Sequence, residues 1–169
     1  MMNAIETLLG FDPGLLVPEQ RIRELCAEDK CGNYQKHYMC PPLVGSVGEM
    51  KRRLRKFRRG LLLQYSRPLG AARDAEELKQ TKLDFHNIIL QLEDFMRDAG
   101  VEPVWGMIGG ACELCEVCGA RTGKPCPYPD RARTSLESIG VDVQALLGGF
   151  GLDNEFRPHR ITWTGCVLF

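Results

Sequence analysis

Residues 61–108, LLLQYSRPLGAARDAEELKQTKLDFHNIILQLEDFMRDAGVEPVWGMI, decide the fold. Leu61-Leu62-Leu63-Gln64-Tyr65 is a short apolar run, and Ser66-Arg67-Pro68-Leu69-Gly70 after it is turn sequence. That combination predicts a short buried strand. From Asp74 to Ala99, the side chains of Leu78, Phe85, Ile89, Leu92, Met96 and Ala99 fall on one helical face. Asp74 and Glu77 stand at capping distance, and Gly100 is a natural stop, so the segment predicts one long helix. Val104-Trp105-Gly106-Met107-Ile108 then predicts a second strand.

Upstream, Ser46 and Glu49 have capping-box spacing, and Met50, Leu54, Phe57 and Leu61 follow at helical intervals. A short helix is expected from Pro18 to Leu25, because proline suits a first helical turn. Residues 1–25 are otherwise mixed, with an apolar stretch around Leu8-Leu9 and a Pro13-Gly14 turn. Downstream, helices are expected over 129–139, ended by Gly140, and from Asp142 through Leu147. Gly148-Gly149-Phe150-Gly151 reads as a flexible loop, and Arg160 to Leu168 has strand composition. Alternating helices and strands predict an α/β fold. The expectation is one domain over 1–169, with a central short sheet of three or four strands, flanking helices and two cysteine-rich metal-binding loops.

Composition is ordinary for a globular protein, at 44% hydrophobic and 26% charged, which argues against general disorder. Acidic and basic residues balance at 22 each, so net charge selects no class of partner. No segment is apolar enough to span a bilayer. The N-terminus, Met1 to Glu6, lacks a basic stretch followed by an apolar run, so a cytoplasmic protein with reduced thiols is expected.

The eight cysteines are unevenly placed. Cys112-x2-Cys115-x2-Cys118-x7-Cys126-Pro127 is the stronger group. Three thiols spaced three apart let one tight loop wrap three irons of a cubane cluster, and a fourth arrives from further along; bacterial ferredoxins use a related run. Gly109, Gly110 and Gly119 would let backbone N–H groups approach the sulfurs. Zinc, the alternative metal, more often takes two separated Cys-x2-Cys knuckles. Cys112, Cys115, Cys118 and Cys126 are therefore the candidate ligands of a 4Fe–4S cluster.

Cys26-x4-Cys31-x8-Cys40-Pro41-Pro42 offers three further thiols. They suit a second cluster, whose fourth iron would be held by Cys166, by His37, by a non-protein ligand or by nothing. An iron left open could bind substrate as a Lewis acid. The bland alternative is that they are buried structural cysteines or complete the other site. Cys166 lies in an apolar strand and reads first as a small buried hydrophobe. His37 lies in a loop and reads first as a surface histidine, and His86 and His159 show no partner pattern.

These cysteines, with Gly123-Lys124-Pro125-Cys126-Pro127-Tyr128-Pro129 and the segment from Arg133 to Val143, resemble a cysteine-rich family of predicted metal-binding proteins of unknown function. The resemblance covers the chain from about Arg21 to its end. It implies an iron–sulfur or other metal protein of a kind common in anaerobic bacteria and archaea. It also implies Cys26, Cys31, Cys40, Cys112, Cys115, Cys118 and Cys126 as metal ligands. It supplies no reaction.

Residues 51–59 carry seven basic side chains in nine. On a helix, Leu54 and Phe57 would point inward and the basic groups outward, either as a solvated face or as a dock for an acidic redox protein such as a ferredoxin or flavodoxin. Interleaved exposed aromatics are absent and net charge is zero, which argues against nucleic acid. No phosphate-binding, nucleotide or nucleophile-elbow fingerprint is present, and no catalytic residue is identified. Three functions compete: an electron-transfer or redox accessory protein with one or two 4Fe–4S clusters, an enzyme using a three-cysteine cluster with an open iron, and a structural zinc interaction module.

Overall fold

The computed structural model describes residues 5–70, 74–153, 155 and 157–169. The first four residues, on which the reading of the N-terminus partly rests, lie outside this set. The strands are β1 (Ile5–Phe11), β2 (Gly60–Pro68), β3 (Trp105–Met107) and β4 (Arg160–Leu168). The helices are α1 (Gln20–Ala27), α2 (Val47–Leu54), α3 (Ala75–Asp98) and α4 (Val143–Gly149). The strands form one sheet in the order β1-β2-β4-β3, and every neighbouring pair is antiparallel. Gly60 pairs with both Phe11 and Leu168, and Leu168 pairs in turn with Trp105, so these residues lie in one row across the sheet.

Helices and connecting chain cover both faces of this small α/β domain. On one face α3 lays Phe85 and Ile89 against Leu63, Tyr65 and Val167. The Tyr65 and Phe85 rings stack with centroids 5.8 Å apart. On the other face, Met50 and Leu54 of α2, Leu147 of α4, and Leu136 and Ile139 pack against Leu62, Cys166 and Leu168. Coverage of both faces is why β2 and the end of β4 read as unbroken apolar runs rather than alternating ones.

Local signals place the elements. Ser46 and Glu49 form a reciprocal cap: the Ser46 hydroxyl accepts from the Glu49 N–H at 3.2 Å, and the Glu49 carboxylate accepts from the Ser46 N–H at 2.6 Å. Asp74 accepts from the Glu77 N–H at 2.8 Å and starts α3. The tail strand has the expected limits.

Five expectations need correction. The chain does not turn at Ser66; β2 continues through Pro68, paired with β4. Residues 129–139 are not helical; they form turns and a bridge between Ile108 and Ser135. Arg133 is drawn inward to Glu93, Thr134 donates to the Met39 carbonyl, and Leu136 and Ile139 enter the core, so tertiary contacts set the course of this segment. The basic segment 51–59 is a helix only as far as Leu54, because Phe57 must turn into the core, where its ring meets Trp105 at 5.9 Å. Pro18 precedes α1 rather than opening it, with Glu19 as the N-cap, and α1 extends far enough to carry Cys26. Helix α4 runs through Gly148 and Gly149 instead of giving way to a loop there. Strand β1, at the sheet edge, pairs along a segment read only as a mixed apolar stretch.

Candidate metal centre

All eight cysteines are free thiols. Cys112, Cys115, Cys118 and Cys126 line one narrow pocket of about 10 Å3, walled by His37, Met39, Leu114 and Ala132. The seven-residue gap before Cys126 is folded into a compact turn. The Thr122 and Lys124 N–H groups both donate to the Gly119 carbonyl at 3.0 Å. A Cβ at Gly119 would run into the carbonyl oxygens of Lys124 and Pro125, so glycine there lets the chain double back and deliver Cys126.

The backbone N–H groups of Leu114 and Arg133 act on the Cys112 thiol. Burial pushes the Cys112 thiol up, and these two donors pull the other way by favouring the thiolate. The donors expected from Gly109, Gly110 and Gly119 are not the ones that serve this sulfur.

Cys26, Cys31 and Cys40 line a second, larger cavity of about 390 Å3, together with Lys82, Glu113, Ser138, Glu137 and Trp163. Cys26 comes from the last turn of α1, and Cys31 and Cys40 from the loop after it. Burial pushes the Cys40 thiol up to about 12, with Cys31, Cys26 and Cys118 adding to the rise. Met39, Cys112 and Leu114 line the narrow pocket while their chain neighbours Cys40, Ala111 and Glu113 line this one, so the two pockets adjoin. Burial likewise raises Cys26, with Cys31 and Glu137 contributing.

The two loops are tied together. His37 sits between them: its Nδ1 accepts from the Met39 N–H at 3.2 Å, so its Nε2 carries the proton and donates to the Cys112 carbonyl at 2.9 Å. Burial lowers the His37 pKa and keeps the ring neutral. Both nitrogens are engaged, so His37 is a clasp and offers no lone pair to a metal. The Tyr38 hydroxyl donates to the Lys124 carbonyl at 2.7 Å, and Arg121 donates to the Gly32 carbonyl at 2.6 Å. Gly140, at φ +99°, brings its carbonyl to the Glu19 N–H at 2.8 Å and so docks α1 against the turn that carries Glu137 and Ser138. A Cβ at Gly140 would crowd the Glu19 backbone.

Cys166 lies apart. It has no exposed surface, belongs to the core on the α2/α4 side of the sheet, and lines neither pocket. Its thiol is pushed up by burial alone. Among the described residues, no three His, Cys, Asp or Glu side chains are arranged to close on a single metal ion.

Sequence reasoning missed Glu137, Lys82 and Trp163 beside the first cysteine group, and Arg23, whose buried Nη1 has no hydrogen-bond partner among the described residues. No spacing pattern marks them: Lys82, Glu137 and Trp163 reach the cavity from three other segments of the chain, and Arg23 lies on α1 three residues before Cys26.

Thiols gathered on two adjoining pockets suit a thiophilic metal, since soft sulfur donors select zinc, copper(I) and iron–sulfur clusters over hard cations. The architecture and its donor set therefore define a small cysteine-rich metal-binding α/β protein. The chain belongs to the family of predicted metal-binding proteins designated DUF2284, whose model matches residues 11–169. No curated protein and no solved structure matches it. No helix among the described residues is long and apolar enough to cross a membrane.

Proposed function

We propose that the chain is an iron–sulfur protein with a redox or electron-transfer role. In this account Cys112, Cys115, Cys118 and Cys126 hold a 4Fe–4S cluster, and Cys26, Cys31 and Cys40 hold a second centre. The observation that carries it is the convergence of two cysteine groups, far apart in sequence, on neighbouring pockets. Adjacent centres suit electron passage, which weakens steeply with distance. The Cys-x2-Cys-x2-Cys run supports a cluster over a lone zinc ion, and N–H donors at Cys112 would tune its potential. Lys51, Arg52, Lys56, Arg58 and Arg59 are exposed and support docking of an acidic redox partner.

The size of the first cavity favours a second reading, an enzyme that binds substrate at an open position of the Cys26/Cys31/Cys40 centre. At about 390 Å3 the cavity is far roomier than its neighbour of about 10 Å3, so a small molecule has space beside those thiols.

The test is anaerobic purification followed by assay of iron, zinc and acid-labile sulfide per chain. About eight irons and eight sulfides would indicate two 4Fe–4S clusters, and about four of each would indicate one. A colourless protein with stoichiometric zinc and no sulfide overturns the iron–sulfur proposal. A change in the cluster's paramagnetic spectrum on adding a small thiol supports the open-site reading, and an unchanged spectrum removes it.

A further inference from the structure

Three thiols leave a four-coordinate set one donor short, and two carboxylates line the same cavity. They differ in their surroundings. Glu113 is neutralised by Lys82, whose Nζ lies 2.6 Å from its Oε1, and the Lys82 ammonium also sits 5.7 Å from the centroid of the Trp163 ring. Glu137 makes no ion pair among the described residues, and no cation acts on its carboxyl. Glu137 and Cys26 line the same cavity. Glu137 is solvent-exposed on the cavity lining, and the Ser135 hydroxyl on the same turn is paired with Ser138. Ser138, on the same turn, places its hydroxyl 4.0 Å from the Cys40 sulfur. The Glu19–Gly140 contact docks this turn onto α1, so Glu137 and Cys26 are held at a fixed separation.

We propose that Glu137 is the fourth protein ligand of the first centre, which makes it a site of three thiolates and one carboxylate. The inference rests on the proposal that Cys26, Cys31 and Cys40 hold a metal. It accounts for a carboxylate without a cation beside thiols that would themselves become anionic: the cation it faces is the metal. A carboxylate is a harder donor than a thiolate and binds soft iron–sulfur centres less tightly. The fourth position is therefore exchangeable. A small molecule with a thiol or imidazole donor could displace Glu137 without disturbing the three cysteines, and the adjoining cavity gives it room. The cluster held by Cys112, Cys115, Cys118 and Cys126 has no such position.

The experiment compares wild type with Glu137→Ala, Glu137→Gln, Glu137→Cys and, as a control, Glu113→Gln, each loaded anaerobically. The readouts are iron and sulfide per chain, the electron paramagnetic resonance spectrum, and its response to 2-mercaptoethanol. Glu137→Ala and Glu137→Gln are expected either to lose iron from the first centre or to respond to the thiol at concentrations at least about tenfold lower than wild type, consistent with loss of one competing ligand. Glu137→Cys is expected to keep the metal and become insensitive to thiol, and Glu113→Gln to behave as wild type. Circular dichroism identifies any variant that fails to fold, and Glu137→Cys then decides the matter because it restores a ligand. If wild type holds two centres and all four variants match it, the Glu137 assignment is overturned while the iron–sulfur proposal stands. If wild type holds no iron and no sulfide, the underlying proposal fails with it.

Discussion

Replacing Glu93 by Gln should be the most costly single-charge change in the protein. The Glu93 carboxylate has no exposed surface. It accepts from the Arg133 Nε at 3.0 and 3.1 Å, from Arg97 at 3.2 Å, and from the Arg133 Nη2 and the Gly106 N–H. Burial alone would raise its pKa, but Arg133, the Gly106 N–H and Arg97 together outweigh it and leave the pKa below the ordinary 4.5. In Glu93→Gln the Arg133 guanidinium stays buried with its countercharge gone, a situation that costs about 3–5 kcal/mol. Arg133 keeps two carbonyl acceptors, Asp130 and Ala132, each at 2.9 Å, which places the expected loss at the lower end, about 3 kcal/mol. Against a total stability of about 5–15 kcal/mol that is a large fraction. Urea titration of the metal-free, reduced protein measures it as a lower midpoint at unchanged slope. The depressed pKa fixes the pH dependence: the contribution is present above 4.5 and is lost as pH falls through the folded-state value, so wild type and variant should converge below 4.5. A loss under about 1 kcal/mol, or a difference that persists unchanged into acid, would refute the reasoning.

Cys166→Ala should leave iron and sulfide content unchanged and cost only about 1 kcal/mol, on the scale of one buried methylene; a variant that loses iron would make Cys166 a ligand. Arg23→Met should raise the stability of the metal-free protein by about 1–3 kcal/mol, because it removes a buried, unpartnered donor. The same change should weaken metal retention at the first centre, where Arg23 is the cation beside Cys26. A less stable metal-free variant in urea would contradict this. Ser46→Ala should lower the thermal midpoint by an amount equivalent to about 0.5–2 kcal/mol without altering metal content.

The fold was legible wherever a local rule acts alone. The Ser46 and Asp74 caps, the stripe of α3 and the apolar end of β4 all appear as expected. The segment 129–139 was not legible, because what decides its course is the distant Glu93, which draws Arg133 inward, and the Met39 carbonyl, which takes the Thr134 hydroxyl at 2.9 Å. The same holds at the site. The cysteine spacings named the thiols that line the two pockets, since those ligands come from short contiguous stretches. Glu137 was hidden in a segment read as a helix, where a glutamate is unremarkable.

The two cysteine groups meet because three separate contacts bring them together: His37 on the Cys112 carbonyl, Tyr38 on the Lys124 carbonyl, and Arg121 on the Gly32 carbonyl. None of these residues is a metal ligand, and each holds backbone rather than sulfur. On the proposed ligation, metal bound at either group would fix the loop that carries it, and the buried His37 hydrogen bond, with the Tyr38 and Arg121 contacts, would pass that order to the other loop. Binding that orders a loop lowers what the neighbouring site must still spend to order its own. The two centres should therefore fill cooperatively, with the neutral histidine as the link. Its neutrality matters, because an imidazolium would have no lone pair to accept the Met39 N–H and would release one side of the clasp.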